Sequence, residues 1–584
     1  MTKEIDPLEV INFFIKELSN DNVHHRIYAA NNISVIAASI GPEHCRKELV
    51  EFLMCADEFD PDVQFCLAAC LGSLVKYVGG PEYAHVLFPP LQILAAANEP
   101  VIREKAIESM VSVSELIPPK DADDILMEAF NGLTNINFFT AKSSACYFAI
   151  KIYQKVNDDN EKVLRNVYKE FIKNETPMVR RFALKNFPAF CEILPISIIL
   201  NEFFNDILVP VTNDDEDSVR LLLPASLSII SNKLDENNKN MLIIPLLRTI
   251  IKDGSWRVRA ALADELPKIA ESFSTESVMN DICPLLFKLM RDPETETKTS
   301  AVKAVSKILH FLKGNEEFIS ENFIPEFANL VKDCGSQVRK EISLRLMELA
   351  SNINSQNINN LIVPLFIQIL RENDNEANVA LLSSLLLYAD KVDLLGMIPG
   401  ILPTILEIAS ETHWRVKYMV IKLIPSFAKV LELNNFNKKL FHLVEMWLSD
   451  SIFSVREQMV KQLGPLVQLF GVDWCIEMIV PLILGFQNHC NYLIRQVTLI
   501  SVAELHDYLP MSVLVQYFLP TVLEMSNDMV PNVRFMVAKT LSFFAGIEDK
   551  NINQKIQECL KNLSNDKDID VKYFACVTLN KFQN

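Results

Sequence analysis

The sequence predicts an all-α solenoid, because three features of the 584-residue chain repeat in a common register. A β-branched residue followed by a basic one recurs about every 39 positions, a period typical of stacked helical hairpins. A proline and an acid recur at fixed distances before the basic residue. A hairpin of this size cannot bury its own apolar face, so we expect about fifteen of them to stack in one continuous body, residues 1–584.

The first helix of each hairpin is clearest at residues 240–251. Leu242, Leu246 and Ile250 recur with helical periodicity and predict one wide apolar face. Pro245 interrupts this run, and its missing amide hydrogen should kink the helix. The prolines that stand fourteen residues before a basic position are Pro89, Pro245, Pro284, Pro325, Pro403, Pro481 and Pro520.

The turn between the two helices carries an acid, six residues before the basic position. An acid there can satisfy backbone amides at the start of the second helix. Rows of acids and bases on stacked hairpins should also bridge one repeat to the next, so we interpret them mainly as contacts that hold the repeats together. The acids are Asp214, Asp253, Asp292, Asp333, Glu411, Asp450, Asp528 and Asp566.

The second helix begins at the β-branched and basic pair, for example Val258-Arg259, and continues with a second periodic apolar run to Ile269. The tenth repeat departs from this pattern, since Ala380 replaces the basic residue. We therefore expect that repeat to stack imperfectly and to act as a flexible joint.

Composition excludes several functions. The formal charge of −18 disfavours nucleic acid and anionic membrane surfaces, which require clustered cations, and no apolar run is long enough to span a bilayer. No phosphate-binding glycine loop, HExxH, GxSxG or CxxC sequence is present, so we expect no enzyme activity of its own, no cofactor and no metal. The N-terminal segment is a poor signal peptide, which predicts an intracellular protein.

The proline in the first helix, the acid in the turn and the Val-Arg pair resemble the HEAT repeat. Several turns are similar to those of one family, the scaffold (A) subunits of type 2A serine/threonine protein phosphatases. The matching segments are VGGPEY at 78–83, FFTAKSSAC at 138–146, TPMVRR at 176–181, DSVRLL at 217–222, SWRVR at 255–259, WRVK at 414–417, NYLIR at 491–495, NVRF at 532–535 and DVKYFA at 570–575.

This resemblance implies a horseshoe-shaped, non-catalytic scaffold found in cytoplasm and nucleus. It would form a heterodimer with the catalytic subunit of the phosphatase, and a heterotrimer when a variable regulatory subunit joins them. Residues 1–390 would bind the regulatory subunit through Phe138, Phe139, Thr176, Pro177, Met178, Arg180, Asp217, Ser218, Ser255, Trp256 and Arg257. Residues 391–584 would bind the catalytic subunit through Trp414, Arg415, Phe453, Tyr492, Leu493, Pro531 and Asn532.

The residues themselves leave a second class of protein open. Nuclear-transport receptors and armadillo adaptors are also helical solenoids, and transport receptors are commonly acidic. Armadillo adaptors hold basic peptides on a tryptophan ladder, whereas the four tryptophans here, Trp256, Trp414, Trp447 and Trp474, form no such series. An exposed Trp beside an Arg is typical of a protein-binding hot spot, which favours a protein partner.

Overall fold

The computed structural model describes residues 6–333, 335–411 and 413–582, apart from the side chains of residues 333, 410 and 411. Within these ranges every regular element is a helix, which confirms the predicted all-α class. The chain divides into two compact units, Met1–Ala304 and Val305–Asn584. The predicted division of partner binding after residue 390 and the number of repeats stay predictions.

In the first unit, the second helix of one hairpin packs on the second helix of the next. Its α-helices of six or more residues are Pro7–Leu18, Val23–Asn31, Ile33–Ile40, Pro61–Leu71, Phe88–Ala95, Pro100–Leu116, Ala122–Asn135, Phe139–Ile152, Asp158–Ile172, Pro177–Ile193, Leu223–Asn232, Ile244–Ile250, Trp256–Glu271 and Cys283–Met290. The helix Thr295–Leu309 contains the boundary residues 304 and 305.

The second unit repeats this arrangement. Its α-helices of six or more residues are Ile324–Asp333, Ser336–Ala350, Val363–Arg371, Asn375–Tyr388, Leu394–Glu411, Trp414–Val430, Leu433–Lys439, Phe441–Leu448, Phe453–Phe470, Val480–Gly485, Tyr492–Leu505, Leu519–Glu524, Pro531–Thr540, Lys550–Leu563 and Ile569–Lys581. Short 3-10 segments, such as Pro81–Leu87 and Leu541–Phe544, extend some of the helices in both units.

The prolines of the first helices are accommodated by π-helical turns. Pro245, Pro284, Pro325, Pro481 and Pro520 each stand two residues after a π segment. Proline lacks the amide that an α-helical bond requires, and widening the preceding turn removes that requirement and the steric clash. The π segments of the chain are Cys45–Leu49, Ile199–Leu208, Lys239–Ile243, Val278–Ile282, Ile319–Phe323, Ile358–Ile362, Cys475–Ile479 and Leu514–Phe518.

Two of the predicted prolines differ from this pattern. Pro89 lies near the start of the helix Phe88–Ala95, directly after a 3-10 segment. Pro403 lies inside the helix Leu394–Glu411, which continues through it without a π-helical turn.

The repeated β-branched residue anchors each second helix in the core. Its side chain is fully buried, which explains why an apolar residue recurs at this position. The buried members are Val179, Val219, Val258, Val338, Val416, Val455, Val533 and Val571.

The helix Asn375–Tyr388, which carries Ala380, packs closely against the preceding helix Ser336–Ala350. The small side chains Ala377, Ala380 and Ser384 of this helix are buried, and the Ser384 hydroxyl donates to the Leu344 carbonyl at 3.1 Å. The predicted imperfect stacking of this repeat stays a prediction. Its role as a flexible joint stays a prediction.

Candidate functional site

Basic residues of the repeated register pair with the acid of the following hairpin. Arg220 donates through Nε and Nη2 to the carboxylate of Asp253 at 2.7 and 2.9 Å, and its Nη1 donates to the carbonyl of Asp214 in its own turn at 2.6 Å. We call this series the Asp–Arg ladder. Its pairs are Arg26–Asp60, Arg180–Asp214, Arg220–Asp253, Arg259–Asp292, Arg339–Asp374, Lys417–Asp450, Arg495–Asp528 and Arg534–Asp566.

All the ladder aspartates except Asp60 also stabilise their own turn by accepting a backbone amide two residues along the chain. Oδ1 of Asp253 accepts the amide of Ser255 at 2.8 Å, two residues along the chain. Burial acts to raise the pKa of the Asp253 carboxyl, but hydrogen bonds from Arg220 and the Ser255 amide outweigh it and hold that pKa below its usual value. The predicted bridges between repeats are thus confirmed, and the side chains of Asp333 and Glu411 lie outside the described residues.

Two arginines of this register form no ion pair with any carboxylate in the described part of the chain. Arg103 and Arg456 are 8% and 3% exposed, and burial lowers the pKa of both guanidinium groups. Each still donates Nη1 to two carbonyls of its own turn. Opposite Arg456 the aspartate position is occupied by His489, whose Nδ1 accepts the amide of Asn491 at 3.0 Å.

The first predicted set of binding residues lies where the turns of the first unit meet the second helices. Trp256 is the first residue of its helix, so that helix begins two residues before the predicted Val258-Arg259 pair. Phe138 is 67% exposed and Trp256 is 40% exposed, although both are large apolar side chains. Phe139, Thr176, Met178 and Arg257 are also exposed, whereas Pro177, Ser218 and Ser255 are half-buried. Arg180 is mostly engaged in the ladder, so its contribution to the surface is mainly structural.

Asp217 joins two of these turns. Its carboxylate accepts the hydroxyl of Ser255 at 2.8 Å and lies 3.5 Å from Nη1 of Arg257 in the next hairpin. The backbone carbonyl of Trp256 accepts the hydroxyl of Thr297 from the hairpin after that, at 3.3 Å. Contacts between repeats therefore fix the backbone on both sides of the exposed indole.

The second predicted set lies in the first turn of second helices in the second unit, and Trp414, Phe453, Tyr492 and Pro531 are the first residues of those helices. Phe453 is 54% exposed, while Trp414, Tyr492, Leu493 and Pro531 are half-buried and Arg415 and Asn532 are exposed. The Arg415 guanidinium lies over the Trp414 ring, 4.9 Å from its centroid, and the His413 ring lies beside it, at 5.9 Å between centroids. These contacts restrict the indole, which stays half-buried.

Sequence reasoning missed further exposed apolar side chains in the turns and at the starts of second helices of the second unit. Met529 is 92% exposed and Ile569 is 78% exposed, and Ile452 and Tyr573 are also open to solvent. Ile569 stands three residues before Lys572, as Trp414 does before Lys417, so the register alone could have identified it.

The described residues include no group of three or more His, Cys, Asp or Glu side chains arranged to hold a metal ion. In the same part of the chain, no helix has the length and apolarity needed to cross a membrane. The exposed aromatic side chains, fixed in turns beside cations, suit the binding of another protein.

The fold is that of the helical-repeat solenoids. Karyopherin structures superpose on nearly the whole chain: Kap95p, from a study of its binding to RanGDP, covers 98% of this chain and 76% of its own at a TM-score of 0.59 and 14% identity. Importin β covers 97% and 76% at a TM-score of 0.54 and 14% identity. At this identity the likeness establishes the fold alone, and it confirms the predicted solenoid class.

Two family models match parts of the chain. The PIK3R4-like middle domain matches residues 198–313, and the non-SMC mitotic condensation complex subunit 1 matches residues 258–422.

Curated relatives are more specific. The chain is similar to the A-type regulatory subunit of protein phosphatase PP2A from Saccharomyces cerevisiae, 32% identical over 276 residues, 45% of this chain and 43% of that protein. It is similar to the protein phosphatase 2A scaffold subunit of Dictyostelium discoideum, 35% identical over 190 residues, 32% of each chain. The beta isoform of the human 65 kDa regulatory subunit of the same phosphatase is 31% identical over 382 residues, 65% of this chain and 63% of its own.

The matched segments cover less than two thirds of each of these relatives. The resemblance found in the turn sequences is nevertheless confirmed by proteins from yeasts, a worm, a slime mould, a plant and human, at 31 to 35% identity. Their names describe regulatory or scaffold subunits of the phosphatase, and none describes a catalytic subunit.

Proposed function

We propose that this protein is the non-catalytic scaffold of a type 2A serine/threonine protein phosphatase. It binds both the catalytic subunit, forming a heterodimeric core, and a variable regulatory subunit, which completes a heterotrimeric holoenzyme. The observation that carries this proposal is the fixed register of aromatic side chains that begin second helices and are exposed or half-buried. Trp256 and Trp414 both stand three residues before a basic residue of the ladder, in different units, and similar proteins are named scaffold subunits.

The two rows of turns would bind different partners. The regulatory subunit would contact Phe138, Met178 and Trp256 with their neighbours in the first unit. The catalytic subunit would contact Trp414, Phe453 and Tyr492 in the second. Because the ladder and the buried valines fix each turn backbone, the exposed rings are held in place before binding, which lowers the entropic cost of association.

The proposal is tested by binding purified catalytic and regulatory subunits of the phosphatase to the immobilised full chain. Trp414→Ala should weaken binding of the catalytic subunit by about thirtyfold, corresponding to roughly 2 kcal/mol for a hot-spot aromatic, and leave the regulatory subunit nearly unaffected. Trp256→Ala should have the opposite effect. Phosphatase activity retained on the immobilised chain gives an independent measure of catalytic-subunit binding.

Tyr28→Ala is the matched control, because Tyr28 is an exposed aromatic residue outside both predicted sets. It should change neither affinity. Equal losses of both partners from either tryptophan variant would indicate misfolding, and absence of binding by the unsubstituted chain would refute the scaffold function.

We also propose that the protein is present in cytoplasm and nucleus, as the resemblance implies. Fluorescence microscopy of the tagged chain tests this location, and confinement to a membrane-bound organelle of the secretory pathway would contradict it.

A further inference from the structure

Arg103 lines a cavity that three consecutive second helices form in the first unit. The helices are Pro100–Leu116, Phe139–Ile152 and Pro177–Ile193, and the cavity volume is about 440 Å³. This volume lies within the range of about 300 to 1,000 Å³ that is usual for ligand pockets.

The donors of Arg103 are only partly used. Nη1 donates to the carbonyls of Ala97 and Asn98 at 2.8 and 2.6 Å, as in the paired ladder arginines. In five of those pairs, Nε and Nη2 both donate to one carboxylate, at 2.5 to 2.9 Å. At Arg103 no carboxylate of the described chain takes this position, because Ile136 stands where the next hairpin would carry its aspartate.

Hydroxyl groups make the link between the third and fourth hairpins in place of an ion pair. Thr140 and Ser144 donate to the carbonyls of Ala96 and Ala95 at 2.7 and 2.6 Å. The hairpins are therefore joined without using the remaining donors of Arg103.

The cavity combines a second cation with apolar walls. Lys185 lies at its edge and is exposed, and Ile107, Phe182 and Tyr147 provide apolar surface. Two carboxylates also lie along the rim. Glu108 is bound by Lys105 at 2.6 Å, and Glu104 is exposed.

These features point to one kind of occupant. Arg103 presents a planar pair of donors that matches a carboxylate, and the surrounding apolar walls match aliphatic side chains. The rim glutamates would repel a run of acids, and the whole chain carries a charge of −18, so diffuse attraction of anions is disfavoured. A single acid flanked by apolar residues satisfies both conditions.

We propose that this cavity is a docking site for a partner-protein segment in which one acidic side chain, flanked by apolar residues, forms a bidentate pair with Arg103. The site goes beyond the proposed scaffold function, because none of the residues that line the cavity belongs to either predicted set. The proposal specifies the chemistry of the bound segment and does not depend on which protein carries it.

The test uses the full-length protein and fluorescein-labelled, acetylated and amidated peptides, measured by fluorescence anisotropy. One peptide carries a central aspartate between leucines, and matched peptides carry asparagine or phosphoserine at that position. The aspartate peptide should bind at least tenfold more tightly than the asparagine peptide. Equal binding, or no binding of the aspartate peptide, would overturn the proposal, and preference for phosphoserine would overturn its assignment to a carboxylate.

Variants locate the binding. Arg103→Gln should weaken binding of the aspartate peptide at least tenfold. Arg103→Lys should bind this peptide more tightly than Arg103→Gln but less tightly than the unsubstituted protein, because an ammonium group cannot form the bidentate pair. Arg456→Gln is the matched control, since Arg456 is an equally buried, unpaired arginine of the second unit. It should leave peptide affinity unchanged.

A second variant avoids removing the buried cation. Ile136→Asp would place a carboxylate at the ladder position opposite Arg103, where it should compete with the peptide and weaken its binding. It should also slow hydrogen exchange in the helix Phe139–Ile152. Full peptide binding by this variant, with exchange slowed in that helix, would show that the free donors of Arg103 do not form the site. Unchanged exchange would show that these donors are closed to a carboxylate, which would also overturn the proposal.

Discussion

Replacing Asp253 by Asn should loosen two neighbouring hairpins of the first unit. The substitution keeps the oxygen that accepts the Ser255 amide but removes the charge that pairs with both nitrogens of Arg220. Hydrogen bonds to charged groups contribute about 1.5 to 3 kcal/mol. The Arg220 side chain is 16% exposed and water can partly replace the lost partner, so we expect a loss of about 2 kcal/mol.

Hydrogen exchange followed by mass spectrometry is the appropriate assay. In a repeat protein each hairpin contacts only its neighbours, so a single global unfolding free energy is not defined for the chain. A loss of about 2 kcal/mol corresponds to about thirtyfold more frequent opening of the segments 217–232 and 256–271. The last helices, 550–563 and 569–581, should be unchanged. Asp264→Asn, at an exposed position on the same second helix, serves as the matched control.

A double-mutant cycle decides whether the ladder pair is the cause. Arg220→Gln and Asp253→Asn should show a coupling free energy of about 1 to 2 kcal/mol, because either change removes the same interaction. If the effects of the two substitutions add to within about 0.3 kcal/mol, the pair does not stabilise the junction and the reasoning is refuted.

Three further predictions concern the same packing. His489→Asp should provide Arg456 with the missing carboxylate and slow hydrogen exchange in the helix Phe453–Phe470, whereas His489→Asn should not; equal effects would exclude an ionic cause. Acid should destabilise the protein, because Asp253, Asp374, Asp528 and Asp566 have lowered pKa values in the folded chain. The stabilising contribution of these ionised carboxylates is complete above the unfolded pKa of about 3.9 and is lost as the pH falls through the pKa values of the folded chain. The unfolding temperature, measured by circular dichroism, should therefore be constant near pH 6 and fall steeply below about pH 4. An unchanged unfolding temperature at pH 3 would contradict this account. Gly464→Ala should lower the free energy of local opening, measured by hydrogen exchange, by about 1 to 3 kcal/mol, because the added methyl group meets the Tyr508 ring. Gly485→Ala should be neutral or stabilising, because the space around its added methyl group is open.

The position of a residue within the repeat predicted the exposure of some candidate binding residues and not of others. The position three residues before the basic residue correctly located Trp256 and Phe453 at exposed sites, and it would also have located Ile569. Register could not show that Trp414 is half-buried between His413 and Arg415, because that depends on side-chain conformations in one particular turn. Exposure of Met529 was likewise not indicated by any repeated feature of the sequence.

The Asp–Arg ladder was also predicted only in part from the sequence. The acid and basic rows were visible in the sequence, and their role in linking repeats followed from stacking. The register also places Ile136 and His489, and no acid, opposite Arg103 and Arg456. Only the structure shows that these two arginines are buried, because burial depends on the packing of neighbouring hairpins.

The sequence by itself determined the helical hairpins, the buried β-branched positions and the acid in many of the turns, because these depend on periodicity and on contacts within a few residues. The tertiary structure decided how the prolines are accommodated by π-helical turns, which apolar side chains remain exposed and where a buried arginine faces a cavity. These features depend on packing between helices that are distant in the sequence, and neighbouring hairpins supply the atoms that bury, pair or expose each side chain.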